Sequence, residues 1–156
     1  MVRISAALTI MLLLTGLPGN SEGKKALTFQ TVSMGEIVDK AATDAGFRTR
    51  YWSEAHFGFT TFKASSGNTL AVFYDDFRKP EEAKRFFDWR MDKSFKVLSR
   101  STKTAAHGER TEYRAEFVPN WSHSDTEVMW VIGTSVHWID AHIVDDALAL
   151  ERQYRR

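Results

Sequence analysis

Phe57-Gly58-Phe59-Thr60-Thr61-Phe62-Lys63-Ala64, a Ser65-Ser66-Gly67-Asn68 turn, and Thr69-Leu70-Ala71-Val72-Phe73-Tyr74 decide the fold class. Two runs rich in aromatic and β-branched residues flank a tight turn with glycine at its centre, which is the pattern of a β-hairpin. Pro80 follows at a first helical position, and Glu81 and Glu82 stand in the first turn, where the helix dipole favours acids. A helix is therefore predicted from Pro80 with a core stripe of Ala83, Phe86, Phe87 and Met91. Arg90 interrupts that stripe, and its stem is expected to cover Phe87 while the guanidinium reaches water.

The same signals recur downstream. Phe95 to Thr104 and Glu109 to Val118 read as a second hairpin about Ala105-Ala106-His107-Gly108. In the returning strand Thr111, Tyr113, Ala115 and Phe117 alternate with Arg110, Glu112, Arg114 and Glu116, so one face is expected to be wet. Val128 to Ile132 and Val136 to Ile143 form a third hairpin about Gly133-Thr134, and Asp145-Asp146 opens a last helix that runs to about Tyr154. Upstream, Ser33-Met34-Gly35-Glu36 fits a capping box, which predicts a helix carrying Ile37, Ala41 and Ala45 on one side and ending at Gly46. Tyr51-Trp52 is a candidate for a further strand. The sum is an α+β domain: a mainly antiparallel sheet of six to seven strands with about three helices packed on it. The segment from Thr60 to Ala83 parallels the segment from Glu127 to Ala147, which suggests two ββα units.

Composition agrees with one globular domain. The chain has 156 residues, 43% of them hydrophobic and 26% charged, with eleven Phe, five Trp and four Tyr. This is far from the composition of disordered chains. A formal net charge of +1 supplies no field that would recruit nucleic acid or anionic lipid. The absence of cysteine excludes disulfides, thiolate metal sites and a cysteine nucleophile together.

Residues 1–23 read as a secretory signal peptide, with Arg3 as the positive start, Ile4 to Leu17 as the apolar stretch and Pro18-Gly19-Asn20-Ser21 as the polar exit. The apolar stretch falls short of the roughly 20 residues that span a bilayer as a helix. The expected mature product is then a single domain over residues 24–156, exported to the periplasm or the exterior, without membrane insertion after cleavage. Such a location lacks ATP and NAD(P)H, and the mature segment has no G-x-G-x-x-G, no G-x-x-x-x-G-K-S/T, no G-x-S-x-G and no H-E-x-x-H. No cofactor is expected.

The residues that suggest chemistry are few. Asp140 and His142 share one face of a strand, so a carboxylate beside an imidazole could act as an acid/base pair. With His123, the same two could also serve as metal ligands. Asp75-Asp76 and Asp145-Asp146 stand just before helices and are read as dipole partners. His56 and His107 are read as surface residues near turns. Trp52, Trp121 and Trp138 are the candidate ligand contacts, since Trp presents a large rigid apolar area with a polar tip. No motif names an activity. The leading expectation is a non-catalytic binding or accessory module for a protein, a peptide or a small apolar ligand, with a hydrolase centred on Asp140 and His142 as the alternative.

Overall fold

A computed structural model describes residues 26–104 and 111–155 of the chain. The expected export signal and His107, with the rest of its turn, lie outside the described residues. Ten elements follow in order: β1 (Phe29–Val38), α1 (Lys40–Asp44), β2 (His56–Ala64), β3 (Thr69–Asp76), α2 (Pro80–Asp92), β4 (Lys96–Thr104), β5 (Thr111–Val118), β6 (Thr126–Ile132), β7 (Ser135–Ala141) and α3 (Val144–Tyr154). The strands form one sheet of seven in the order β1-β2-β3-β7-β6-β5-β4, and every neighbouring pair is antiparallel. The α+β class, the three hairpins and the two longer helices agree with the sequence. Among the described residues no helix is long and apolar enough to cross a membrane.

The sheet has a core on each face. Phe57 on β2, Ala115 and Phe117 on β5, Met129 and Val131 on β6, and Val136 and Trp138 on β7 meet α2 through Ala83, Phe86, Phe87 and Met91. On the other face Leu70, Val72, Val128, Trp130, Ile139 and Ala141 meet α3 through Ala147 and Leu150. The alternation that makes the central strands β3, β6 and β7 apolar on both sides is the reason helices cover both. Both ββα units are present, β2-β3-α2 and β6-β7-α3, but they send their helices to opposite faces. Phe73 and Ile139, which the sequence parallel equates, belong to opposite cores.

Four local readings are corrected. Ser33-Met34-Gly35-Glu36 lies inside β1 and caps no helix. Pairing along β2 overrides the capping box, and Gly35 is suited to it because the Phe59 ring lies where a side chain would project, 2.8 Å from an ideal Cβ. The helix is instead reduced to Lys40–Asp44, where the Asp39 carboxylate accepts the Ala42 N–H at 3.0 Å. It does stop at Gly46, whose φ of 91° is the left-handed value that favours glycine. Tyr51 and Trp52 form a turn, not a strand, and the loop around them is held by the Arg50 N–H donating to the Asp76 carbonyl at 2.7 Å. Arg90 is mostly withdrawn from water, with 13% of its side chain exposed. Its guanidinium lies over the Trp138 ring and pairs with buried Glu127 and with Asp39. The charged face of β5 is only partly wet: Glu112, Arg114 and Glu116 keep 19%, 20% and 21% of their side chains exposed, and Arg114 donates to both carboxylate oxygens of Glu151 on α3 at 2.8 and 2.7 Å.

Candidate functional site

Between α1, the C-terminal turns of α2 and the loop after β5 lies a groove of about 480 Å³. Ala41 and Ala45 form one wall, Trp89 and Lys93 of α2 another, and Phe117, Pro119 and Trp121 the third. Each wall has a local cause. The two alanines face outward from α1, and their small side chains leave the space open. Trp89 is held by stacking on Phe86 at 5.7 Å between centroids. Pro119 ends β5 and turns the chain so that Trp121 stands at the rim with 62% of its surface exposed.

The floor is charged but internally paired. Arg90 joins Glu127, which is 1% exposed, and approaches Asp39 at 3.5 Å. Ser94 is also engaged, since its hydroxyl donates to the Met91 carbonyl at 2.7 Å. Behind the floor, Asp140 lies opposite Glu127 in the β6–β7 register. Burial first, and then the carboxylates of Glu127 and Asp125, push the Asp140 carboxyl up to about 7, against the opposing influence of Arg90.

The structure does not bring Asp140, His142 and His123 together. The exposed His142 ring meets Asp125, with Nδ1 3.2 Å from Oδ1. His123 stacks on Phe95 at 4.1 Å between centroids. Among the described residues no group of three His, Asp or Glu side chains is disposed to hold a metal ion. The three tryptophans also separate. Trp121 borders the groove, Trp52 borders a different pocket, and Trp138 is core, stacked on Phe73 with 10° between the ring planes. Trp138 is thus closed to a ligand. The alternation that makes it share a face with Asp140 also turns it under α2.

His56 is the residue that sequence reasoning missed. It opens β2 and is only 7% exposed, so it is not a surface histidine. Its Nε2 lies 3.4 Å from Glu36 and its Nδ1 3.9 Å from Asp75. The Nδ1 atom is buried and has no hydrogen-bond partner among the described residues. The Trp52 indole stacks over the ring at 3.9 Å with a 22° interplanar angle. Extending the alternation of β2 back by one residue would have put His56 beside Gly58 on the sheet. Nothing in the sequence marks Glu36 and Asp75 as its neighbours, because they arrive from β1 and β3.

Burial pushes the Asp75 carboxyl up from its ordinary range despite the N–H of Asp76 and the charge of His56. On the α3 side, burial likewise lowers the imidazole of His137, whose ring stacks on Trp130 at 5.3 Å. No protein-family model matches this chain, and no curated protein or solved structure is significantly similar to it.

Proposed function

We propose that this chain is a non-catalytic binding module that takes a small apolar ligand in the groove between α1, α2 and the loop after β5. The observation that carries the reading is Trp121, a large aromatic side chain left exposed at the rim of a groove otherwise walled by Trp89, Phe117, Pro119 and two alanines. Its volume of about 480 Å³ falls within the roughly 300–1,000 Å³ of small-molecule sites, and such sites are mostly apolar with a few polar groups that orient the ligand. Arg90 and Ser94 already have partners inside the protein, so the floor offers shape more than reactivity. Lys93 at the rim suits a ligand whose apolar body ends in an anionic group.

The test is a titration with 1-anilinonaphthalene-8-sulfonate, an apolar body with an anionic group, followed by its fluorescence. Saturable binding with a Kd on the order of 1–100 μM is expected. Trp121→Ala should weaken it about tenfold, and Trp52→Ala should leave it unchanged. Equal affinity in the Trp121→Ala variant would refute the reading. We also propose that the protein acts after export. Residues 1–23 fused to a reporter active only outside the cytoplasm should yield active reporter, and a silent fusion would refute that part.

A further inference from the structure

The pocket beside His56 shares no residue with the groove and has the opposite chemistry. It has a volume of about 440 Å³. Three rings line it: Tyr51, Trp52 and Tyr74. Two of them are held by the fold. Trp52 is stacked on buried His56, and Tyr74 lies across Gly58, where an ideal Cβ would come within 2.9 Å of the phenol ring. Gly58 is therefore the residue that allows Tyr74 to lie flat on the sheet. The third ring, Tyr51, is 78% exposed and has the Arg50 guanidinium 5.4 Å from its centroid, so Trp52 and Tyr74 are the faces left to a ligand.

The charges point the same way. Glu36 and Asp75 flank the imidazole on its two nitrogen sides. No lysine or arginine lines the pocket. Glu36 lies 3.4 Å from His56 Nε2 yet keeps 66% of its side chain exposed, so its carboxylate is accessible to a ligand. Aromatic faces beside carboxylates attract positive charge, most strongly a weakly hydrated one. A metal ion is disfavoured, since no group of three His, Asp or Glu side chains among the described residues is disposed to hold one. We propose that this pocket binds a small organic cation bearing an alkylated ammonium group.

The proposal is independent of the groove and goes beyond it. It is tested with the full-length mature protein by following the indole N–H signals in NMR titrations. Choline and tetramethylammonium are the probes, and 3,3-dimethyl-1-butanol is the uncharged isostere of choline. Choline should shift the Trp52 signal saturably, and the alcohol should bind about tenfold more weakly, a difference worth one desolvated cation–π contact. Trp52→Ala should abolish the choline response, and exposed Glu36→Gln, which leaves the core untouched, should weaken it severalfold. Trp121→Ala should leave it unchanged and so separates this pocket from the groove. Tighter binding of trimethyl-lysine amide than of choline would assign the cation to a protein side chain within the same ammonium chemistry. Equal binding of the alcohol and choline, no saturation up to about 20 mM choline, or full choline affinity in folded Glu36→Gln would overturn the proposal.

Discussion

Replacing Asp140 by asparagine removes the charge that the sheet accommodates least well. Asp140 faces Glu127 across the β6–β7 ladder, and burial with the nearby carboxylates pushes it up to about 7 from a starting value of 3.8. In the folded state it therefore holds its proton to a higher pH than in the unfolded chain. Between about pH 4 and 7 the native state binds more protons, so the stability this group contributes is complete below pH 4 and is lost as the pH rises towards 7. A shift of about three units corresponds to about 4 kcal/mol for a fully buried group. Asp140 is only half-buried, and solvent screening reduces the expected loss to about 1–2 kcal/mol. Asparagine has the same shape and does not titrate. Asp140→Asn should match the wild-type protein at pH 4 and exceed it by about 1–2 kcal/mol at pH 8. Urea unfolding followed by tryptophan fluorescence at steps across this range measures the difference directly. A flat difference between pH 5 and 8 would refute the reasoning. A loss of stability in the variant at pH 8 would also refute it, because it would mean that Arg90 stabilises the Asp140 carboxylate more than burial and its acidic neighbours oppose it.

Glu151 should behave in the opposite sense: burial pushes it up, but hydrogen bonds from Arg114 and Arg155 outweigh that and hold it below its ordinary 4.5. Glu151→Gln should cost about 2 kcal/mol at pH 7, a difference that shrinks as acid protonates the wild-type carboxylate and that chemical denaturation at pH 3 and 7 would reveal. Arg90→Met strands Glu127, which is 1% exposed, so a loss of about 3–5 kcal/mol is expected, with most of it recovered in Arg90→Met/Glu127→Leu; thermal melts of the single and double variants decide this. Gly58→Val forces a side chain into the Tyr74 ring and should cost about 1–3 kcal/mol, and Tyr74→Ala in the same chain should relieve part of it if that contact is the cause.

The hairpins and α2 were legible because their signals are local: period-two alternation, Gly67 and Gly133 in turns with positive φ, and Pro80 with two acids at a helix start. The first helix was misread because Ser33 to Glu36 satisfies a local capping rule that nine paired residues of β1 outweigh. The reach of Arg90 was misread for a similar reason. Its acidic partners Asp39 and Glu127 come from the start of α1 and from β6, and no window along the chain holds all three. The same limit hid His56, flanked by carboxylates from β1 and β3. Trp121 was visible as an aromatic in a polar loop, whereas Trp52 lay in a stretch that reads as a strand and forms a turn instead. Trp138 lies on a strand, and its fate depended on which face α2 would cover.

That last dependence explains where both pockets lie. Three short helices cannot cover both faces of seven strands. On one face α1 and α2 meet over Phe57 and Phe86, and the gap between them and the loop after β5 is the groove under Trp121. On the other, α3 packs chiefly on β6 and β7, its start tied to the β2–β3 turn where Ser66 and Asn68 donate to Asp146 at 2.8 and 2.7 Å. That tie anchors the helix over the Leu70 end of the hairpin and leaves the opposite corner, with Tyr74, Gly58 and Glu36, uncovered. A third place where the sheet meets solvent is its edges, and these are managed differently. β4 is exposed throughout but carries Lys96, Arg100 and Lys103, charges that discourage pairing with another strand. β1 is interrupted by a register shift between Thr31 and Ser33, which breaks the flat ladder that a further strand would need. The sheet thus guards its edges while leaving two uncovered places on its faces, and it is at those two places that the exposed tryptophans Trp121 and Trp52 stand.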